Sequence, residues 1–338
     1  YGVLLGALLC DRPPDGFRAL AAAAVLLAIS APDIAADVSF ELSFVSVAAL
    51  ILVARGRGPR EAAAWSSVDA PVAPVALLAS AGPRAWWQRF IVQSLVVSVA
   101  ATVATAPLTA WHFQQVSLIA PLANLIALPL LGPATLLPGL AALPLVVPAP
   151  GWADALLAVA GWAAGLGLAL SVWLARLPWA AIATPMPSLL ELALCYAALA
   201  LWWFGPAARV AAPGRKARSP HRIAIVVVAV VALADVGYWL WERFGNATLR
   251  VTFLSVGQGD AAVVELPRGG VLAIDGGGFP GDFDPGERLI APFLRPRKIL
   301  HLDVVVLSHP QMDHYGGLTY LAQSFAPDEF WSNGIPAH

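Results

Sequence analysis

Charged side chains are scarce in this chain of 338 residues: they make up 12% of it, whereas hydrophobic residues make up 59%. A soluble protein carries about 25% charged residues, enough to cover its surface with polar groups. Between positions 90 and 208 the only charged residues are Asp154, Arg176 and Glu191. This scarcity excludes a single soluble enzyme and a disordered chain, and it predicts a protein that lies mostly in a membrane.

Cysteine is nearly absent as well. The chain has two cysteines, Cys10 and Cys195, and both lie inside apolar runs. Two isolated cysteines of this kind exclude a disulfide-stapled secreted domain and a zinc ribbon. Tyr1 stands in an apolar run already in progress, without an initiator Met or a signal peptide, and His338 follows shortly after a helix-like segment. We therefore expect a fragment of a longer protein.

The few charges are unevenly distributed. Residues 1–247 contain 14 basic and 11 acidic residues, whereas the much shorter segment 248–338 contains 6 basic and 10 acidic residues. The density of charged residues in segment 248–338 is that of a folded domain in water. The sequence therefore predicts a multi-span membrane domain over residues 1–244 and a soluble domain over residues 248–338.

Apolar runs recur along the first part of the chain. A bilayer crossing needs about 20 mostly apolar residues, and many of the tryptophans fall near the ends of the runs, where their rings settle at the membrane–water interface. The candidate segments are Tyr1–Cys10, Phe17–Ala31, Val38–Ala54, Phe90–Trp111, Val116–Pro148, Trp152–Leu174, Ser188–Phe204 and Ile223–Trp241.

Basic residues predict the orientation. Segment 209–222 carries five Lys or Arg residues, and Arg55, Arg57 and Arg60 form a second basic group, so both groups should be cytoplasmic. The span Ile223–Trp241 then places residues 248–338 outside the cytoplasm. An even number of crossings must separate the two basic groups, but two spans within Val116–Pro148 would make five. The number is even if one candidate segment does not cross fully or if the short run Pro71–Ala81 also inserts.

A proline-rich stretch interrupts the apolar pattern. Pro121 to Pro148 contains six prolines, and each removes a backbone donor and strains a helix. We expect broken or re-entrant helices there, which are tolerated at membrane depth only inside protein or beside water. Glu41, His112 and Asn124 are polar residues within or beside apolar runs; they either join helices or line a polar path. The many spans favour a channel or transporter body over a simple anchor.

Short strands follow position 248. The segment LRVTFLSV alternates apolar and polar residues, and the buried strand LDVVVLS runs directly into the loop HPQMDH. Within that loop His309, Asp313 and His314 can converge on one ion, and their imidazole and carboxylate groups suit zinc, manganese or iron. The sequence therefore predicts a metal site at the end of this strand.

Taken together, VGQGDA, LAIDGG and LDVVVLSHPQMDHYGGL resemble the start of the metallo-β-lactamase domain that is fused to ComEC-type competence proteins. Upstream, DVSFELSFVSVAAL and ATAPLTAWHFQQVSLIAPLANLIALPLLGP resemble the competence membrane domain of that family. The resemblance implies a polytopic α-helical membrane domain followed by the N-terminal part of an α/β metallo-β-lactamase-like αββα sandwich. It also implies an inner-membrane channel for single-stranded DNA in natural transformation, with an extracytoplasmic domain that degrades the strand left outside.

The loop departs from the family's HxHxDH pattern at one position. Gln311 stands where the second histidine is usual, and an amide oxygen is a weaker ligand for zinc. We expect Asp313 and His314 to act as catalytic residues and to hold at most one divalent ion, zinc or manganese, with His309 contributing weakly. The resemblance implies that further ligands come from strands that would follow His338. A working site would make the domain a metal-dependent phosphodiesterase or nuclease.

Two further aspartates support the expected site. Asp275, in the IDGG turn, is expected to hold the loop by hydrogen bonds and not to touch the metal. Asp260, in GQGD, either faces the same cleft or serves only its turn.

Three functions remain open from the sequence. The first is a DNA-uptake channel with a hydrolase domain, whose partners are single-stranded DNA, other DNA-uptake machinery and membrane lipid, with a homo-oligomer left open. The second is a membrane-tethered metallo-hydrolase of another substrate, and the third is a channel whose soluble domain is structural and inactive because of Gln311. Tight DNA binding by residues 248–338 alone is not expected, since acidic residues outnumber basic ones there.

Overall fold

The computed structural model describes residues 15–55, 83–210, 220–279, 281 and 283–335. The described residues form two compact units. The first draws on segments 15–109, 115–182 and 203–210, and the second on segments 110–114, 183–202 and 220–335. The expected span Tyr1–Cys10 and the short run Pro71–Ala81 lie outside the described residues.

Residues 15–240 are mostly helical wherever the structure describes them, as their apolar runs predict. Polar residues cap some of these helices: Asp15 accepts a hydrogen bond from the N–H of Phe17 at 2.9 Å, and the Glu191 N–H donates to Ser188 Oγ at 3.2 Å. In chain order the helices are α1 (Gly16–Ser30), α2 (Val38–Arg55), α3 (Pro83–Phe113), α4 (Ala120–Leu131), α5 (Pro133–Ala142), α6 (Pro150–Ala175), α7 (Leu189–Val210) and α8 (Pro220–Leu240).

Four described helical segments are long and apolar enough to cross a membrane: Phe90–Phe113, Ala120–Leu145, Pro150–Ala175 and Pro220–Gly245. Three shorter apolar helices, Gly16–Ser30, Val38–Ala54 and Leu189–Phe204, coincide with three further expected spans. The chain is therefore a multi-pass membrane protein.

The proline-rich stretch forms one apolar segment where two spans were expected. Helices α4 and α5 follow each other directly, with an interruption at Gly132, whose ψ of −103° is not helical. The Thr135 hydroxyl donates to the Leu130 carbonyl at 2.8 Å and so satisfies one backbone group that the interruption leaves free.

The interrupted segment lies antiparallel to α6. Ile119, just before α4, packs with Leu174 near the end of α6. At the interruption, Leu131 packs against Gly167 of α6. A Cβ placed on Gly167 would lie 2.7 Å from the Leu131 side chain. Segment Ala120–Leu145 therefore follows α6 as a single broken helix.

Two sheets complete the architecture. Strands β1 (Gln115–Ser117) and β2 (Ala181–Ala183) form a two-stranded sheet between helices. The larger sheet has the order β3-β4-β5-β6-β7: its first two pairings are antiparallel and its last two are parallel. Its strands are β3 (Arg250–Phe253), β4 (Ala262–Glu265), β5 (Val271–Ile274), β6 (Val304–Leu307) and β7 (Glu329–Ser332).

Helices cover one face of the larger sheet. They are α9 (Ala291–Leu294), which continues a π turn, α10 (Met312–Tyr315) and α11 (Leu318–Phe325). Alternate strand residues Val263, Val271 and Val305 are at most 1% exposed and pack in one core with α9 and α11. One sheet with helices on one face is half of an αββα sandwich. The expected fold class, a helical membrane part followed by the N-terminal part of such a sandwich, is confirmed.

Candidate functional site

Three loops meet at one end of the larger sheet: residues 257–260 between β3 and β4, residues 275–278 after β5, and residues 308–317 after β6. Because β5 and β6 are parallel neighbours, their carboxyl ends lie side by side. Glycines let the loops touch: a Cβ on Gly259 would lie 1.6 Å from the Asp313 carbonyl oxygen, and a Cβ on Gly278 would lie 1.8 Å from that of Met312. The motifs GQGD, IDGG and DHYGG therefore form a single site.

Asp275 is the central hydrogen-bond acceptor of this site. It is 4% exposed and has a φ of 57°. Its Oδ1 accepts from the Ser308 N–H at 2.8 Å, and its Oδ2 accepts from the Ser308 hydroxyl at 2.6 Å. The same Oδ2 lies 2.9 Å from Nδ1 of His314, which is 8% exposed. A carboxylate at Nδ1 orients the ring, so that Nε2 is the nitrogen left for a ligand.

His309 has hydrogen-bond partners on both ring nitrogens. Its Nδ1 is 3.0 Å from Ser308 Oγ, and its Nε2 is 3.2 Å from Gln311 Oε1. Its ring centroid lies 3.8 Å from that of His314, with the planes tilted by 49°. The glutamine that replaces the usual histidine therefore occupies the Nε2 of His309 that a metal would need.

Asp313 is half-buried in the first turn of α10. Its Oδ2 lies 3.9 Å from Nε2 of His314. Asp260, by contrast, has an exposed side chain, and it joins the site through its backbone, whose carbonyl accepts from the Gly277 N–H at 2.9 Å.

The loop presents an incomplete set of donors for the expected divalent metal. A catalytic zinc site commonly has three protein ligands. Asp313 and His314 supply two facing donor atoms, and the third candidate, Nε2 of His309, is hydrogen-bonded to Gln311. Within the described residues, no group of three or more His, Cys, Asp or Glu side chains is arranged to hold a metal ion. The loop by itself therefore does not complete a metal site.

The three polar candidates of the membrane part lie on separate helices. Glu41 is in the first turn of α2, His112 is in the last turn of α3, and Asn124 is in α4. Their role in a polar path remains a prediction.

Sequence reasoning missed Ser308. Its hydroxyl lies between Asp275 and His309, and its N–H is one of the donors to the Asp275 carboxylate. The sequence signal that could have identified Ser308 was its position between a buried strand and the first histidine of the loop. Ser308 thus connects Asp275, after β5, with His309, in the loop after β6.

Comparisons with known proteins agree with this arrangement. A family model described as "Competence protein" matches residues 1–209, and one described as "Metallo-beta-lactamase superfamily" matches residues 254–336. The chain is 35% identical over 78 residues to "ComE operon protein 3" of Bacillus subtilis (strain 168), a match that covers 20% of this chain and 10% of that relative. No solved structure matches the chain.

Proposed function

The chain belongs to the competence protein family, whose model covers more than half of its residues, and from this premise we propose that it is an inner-membrane channel for single-stranded DNA in natural transformation. The observation that carries the proposal is the interruption of the Ala120–Leu145 segment at Gly132. An anchor needs one uninterrupted span. Irregular backbone at membrane depth is tolerated inside protein or beside a water-filled path.

The proposed topology puts residues 248–338 outside the cytoplasm. Among the residues that the structure describes, four helical segments (α3, Ala120–Leu145, α6 and α7) lie between the basic group at positions 55–60 and the basic segment 209–222. Four crossings return the chain to the cytoplasmic side, because the broken helix counts once. Helix α8 then crosses outward to the sheet domain. This topology places the basic residues of both groups in the cytoplasm, where the loops of membrane proteins carry an excess of Lys and Arg.

For the sheet domain, the geometry favours a structural role over strand degradation. The Gln311–His309 hydrogen bond engages one of the few metal donors that the loop offers. Acidic residues also outnumber basic ones in 248–338, so this domain is a poor binder of phosphate backbones. A nuclease that degrades the non-transported strand is the alternative, and metal analysis separates the two.

The channel proposal is tested with the full-length protein in vesicles. Labelled single-stranded DNA should become resistant to external nuclease, whereas duplex DNA should not. Gly132→Ala should reduce this uptake, because the new Cβ would lie 2.7 Å from the Leu128 carbonyl oxygen and shift the interruption. Gly139→Ala, in α5 of the same segment, is the matched control, since its Cβ meets nothing within 4 Å. Equal uptake by protein-free vesicles would refute the proposal.

A further inference from the structure

The turn from Arg295 to Lys298, which links α9 to β6, makes contacts far outside the sheet. Lys298 ends the turn with a φ of 59°. Its Nζ lies 2.5 Å from Glu191 Oε2 in the first turn of α7, and it donates to the Met186 carbonyl at 2.8 Å. All these residues belong to the second compact unit.

Arg295 makes a second set of contacts from the same turn. Its Nη1 donates to Gln114 Oε1 at 2.8 Å, directly after α3, and its carbonyl accepts from the Met186 N–H at 3.3 Å. Its Nη2 donates to the Tyr320 hydroxyl at 2.9 Å in α11. Because α11 begins directly after the loop of His314, Arg295 joins the end of a membrane helix to the helix that follows the candidate site.

The ion pair is largely withdrawn from water. The side chains of Lys298 and Glu191 are 14% and 24% exposed. Two groups of α8 lie beside it: the Trp239 ring, with its centroid 5.1 Å from Lys298 Nζ, and the carboxyl group of Asp235, which is close to Glu191. Loss of one partner in such surroundings leaves a charge without compensation and costs more than loss of an exposed pair.

We propose that the Arg295–Lys298 turn is a clasp that fixes the sheet domain to the end of α3, the start of α7 and the end of α8. In the proposed topology all three of these helix ends lie on the outer side of the membrane, where the sheet domain lies. The clasp rests on that topology but not on DNA transport or on a metal.

Cross-linking within the full-length protein in its membrane tests the clasp. The two native cysteines are replaced, and a protease site is inserted at positions 246–248, between α8 and β3. Gln114→Cys with Arg295→Cys should be joined by a short bifunctional thiol reagent, so that the two fragments stay together on a denaturing gel after cleavage. Gln114→Cys with Arg288→Cys is the control, because Arg288 lies two helical turns, about 10 Å, before Arg295.

The need for the Lys298–Glu191 ion pair is tested in the protein that carries Gln114→Cys and Arg295→Cys. Lys298→Glu should lower the cross-linking yield about tenfold, between the effects expected for an exposed and a buried ion pair. Glu191→Lys should do the same from the helix side, whereas Lys298→Arg should keep the yield. A yield no higher than that of the control pair would overturn the clasp, and so would full yields in both charge-reversal variants. Because this readout does not involve DNA, failure of the clasp is distinct from failure of the channel proposal.

Discussion

Asp275 and His314, which are 39 positions apart in the sequence, meet with 2.9 Å between Asp275 Oδ2 and His314 Nδ1. Both side chains are buried. Because Asp275 also accepts two hydrogen bonds from Ser308, one carboxylate ties the end of β5 to the loop that follows β6. The stability of the domain should therefore depend on this group.

Asp275→Asn should lower the free energy of unfolding by about 2–3 kcal/mol, the amount expected when a buried hydrogen bond to a charged acceptor is lost. The amide keeps one acceptor oxygen but turns an NH₂ group toward Ser308 or His314. Denaturant unfolding of the purified protein measures the change. Asp260→Asn is the control: its side chain is exposed, and the loss should stay within about 0.5 kcal/mol. Equal losses in the two variants would contradict the central role of Asp275.

Local patterns in the sequence were sufficient to predict the strand and the loop that build the candidate site. The run VVVL forms β6, and the loop after it gathers His309, Asp313 and His314, because side chains that follow a buried strand emerge at the sheet's end. The apolar runs likewise form helices at the expected places.

Contacts between distant residues could not be predicted. Arg295 and Gln114 are 181 positions apart, and neither belongs to a motif. The break in the proline-rich stretch was expected, but its single apolar segment Ala120–Leu145 was not, because six prolines favour several breaks by local rules. Both α4 and α5 pack against α6, and tertiary contacts of this kind leave no periodic signal in the sequence.

The metal content of the protein should rise when Gln311 is replaced by histidine. In the unmodified protein Gln311 Oε1 faces His309 Nε2 at 3.2 Å, so we expect at most one zinc or manganese ion per chain. Gln311→His supplies a third imidazole, and since even supporting groups change metal affinity about 10–100-fold, occupancy should increase measurably by elemental analysis.

Two variants check that reading. Adding Asp313→Ala should abolish the gain. Gln323→His, at an exposed position on α11, adds a histidine away from the loop and should leave the metal content unchanged. Two equivalents of metal in the unmodified protein would refute the one-ion limit, and no metal in any variant would favour the structural role.

A reporter that is active only outside the cytoplasm should be active when it is fused after Glu265, in β4, and silent when it is fused at Arg215. The reason is the basic segment 209–222, which favours the cytoplasmic side of α8. Fusions in the full-length chain measure this directly. The reverse pattern would overturn the orientation and, with it, the outer position of the sheet domain.

Water should reach the broken helix near its interruption. Single cysteines at Leu128 and Leu136, which are 59% exposed and lie on either side of Gly132, should react with a small aqueous thiol reagent in a background without the native cysteines. Ala142→Cys is the matched control: Ala142 is fully buried at the end of α5, so it should stay protected.

The rate of modification in intact membranes is measured for each position. A water-filled path predicts fast modification at the first two positions and slow modification at the third. Uniform protection would mean that lipid surrounds the segment, since the reagent does not enter hydrocarbon, and the interruption at Gly132 would then no longer support a channel.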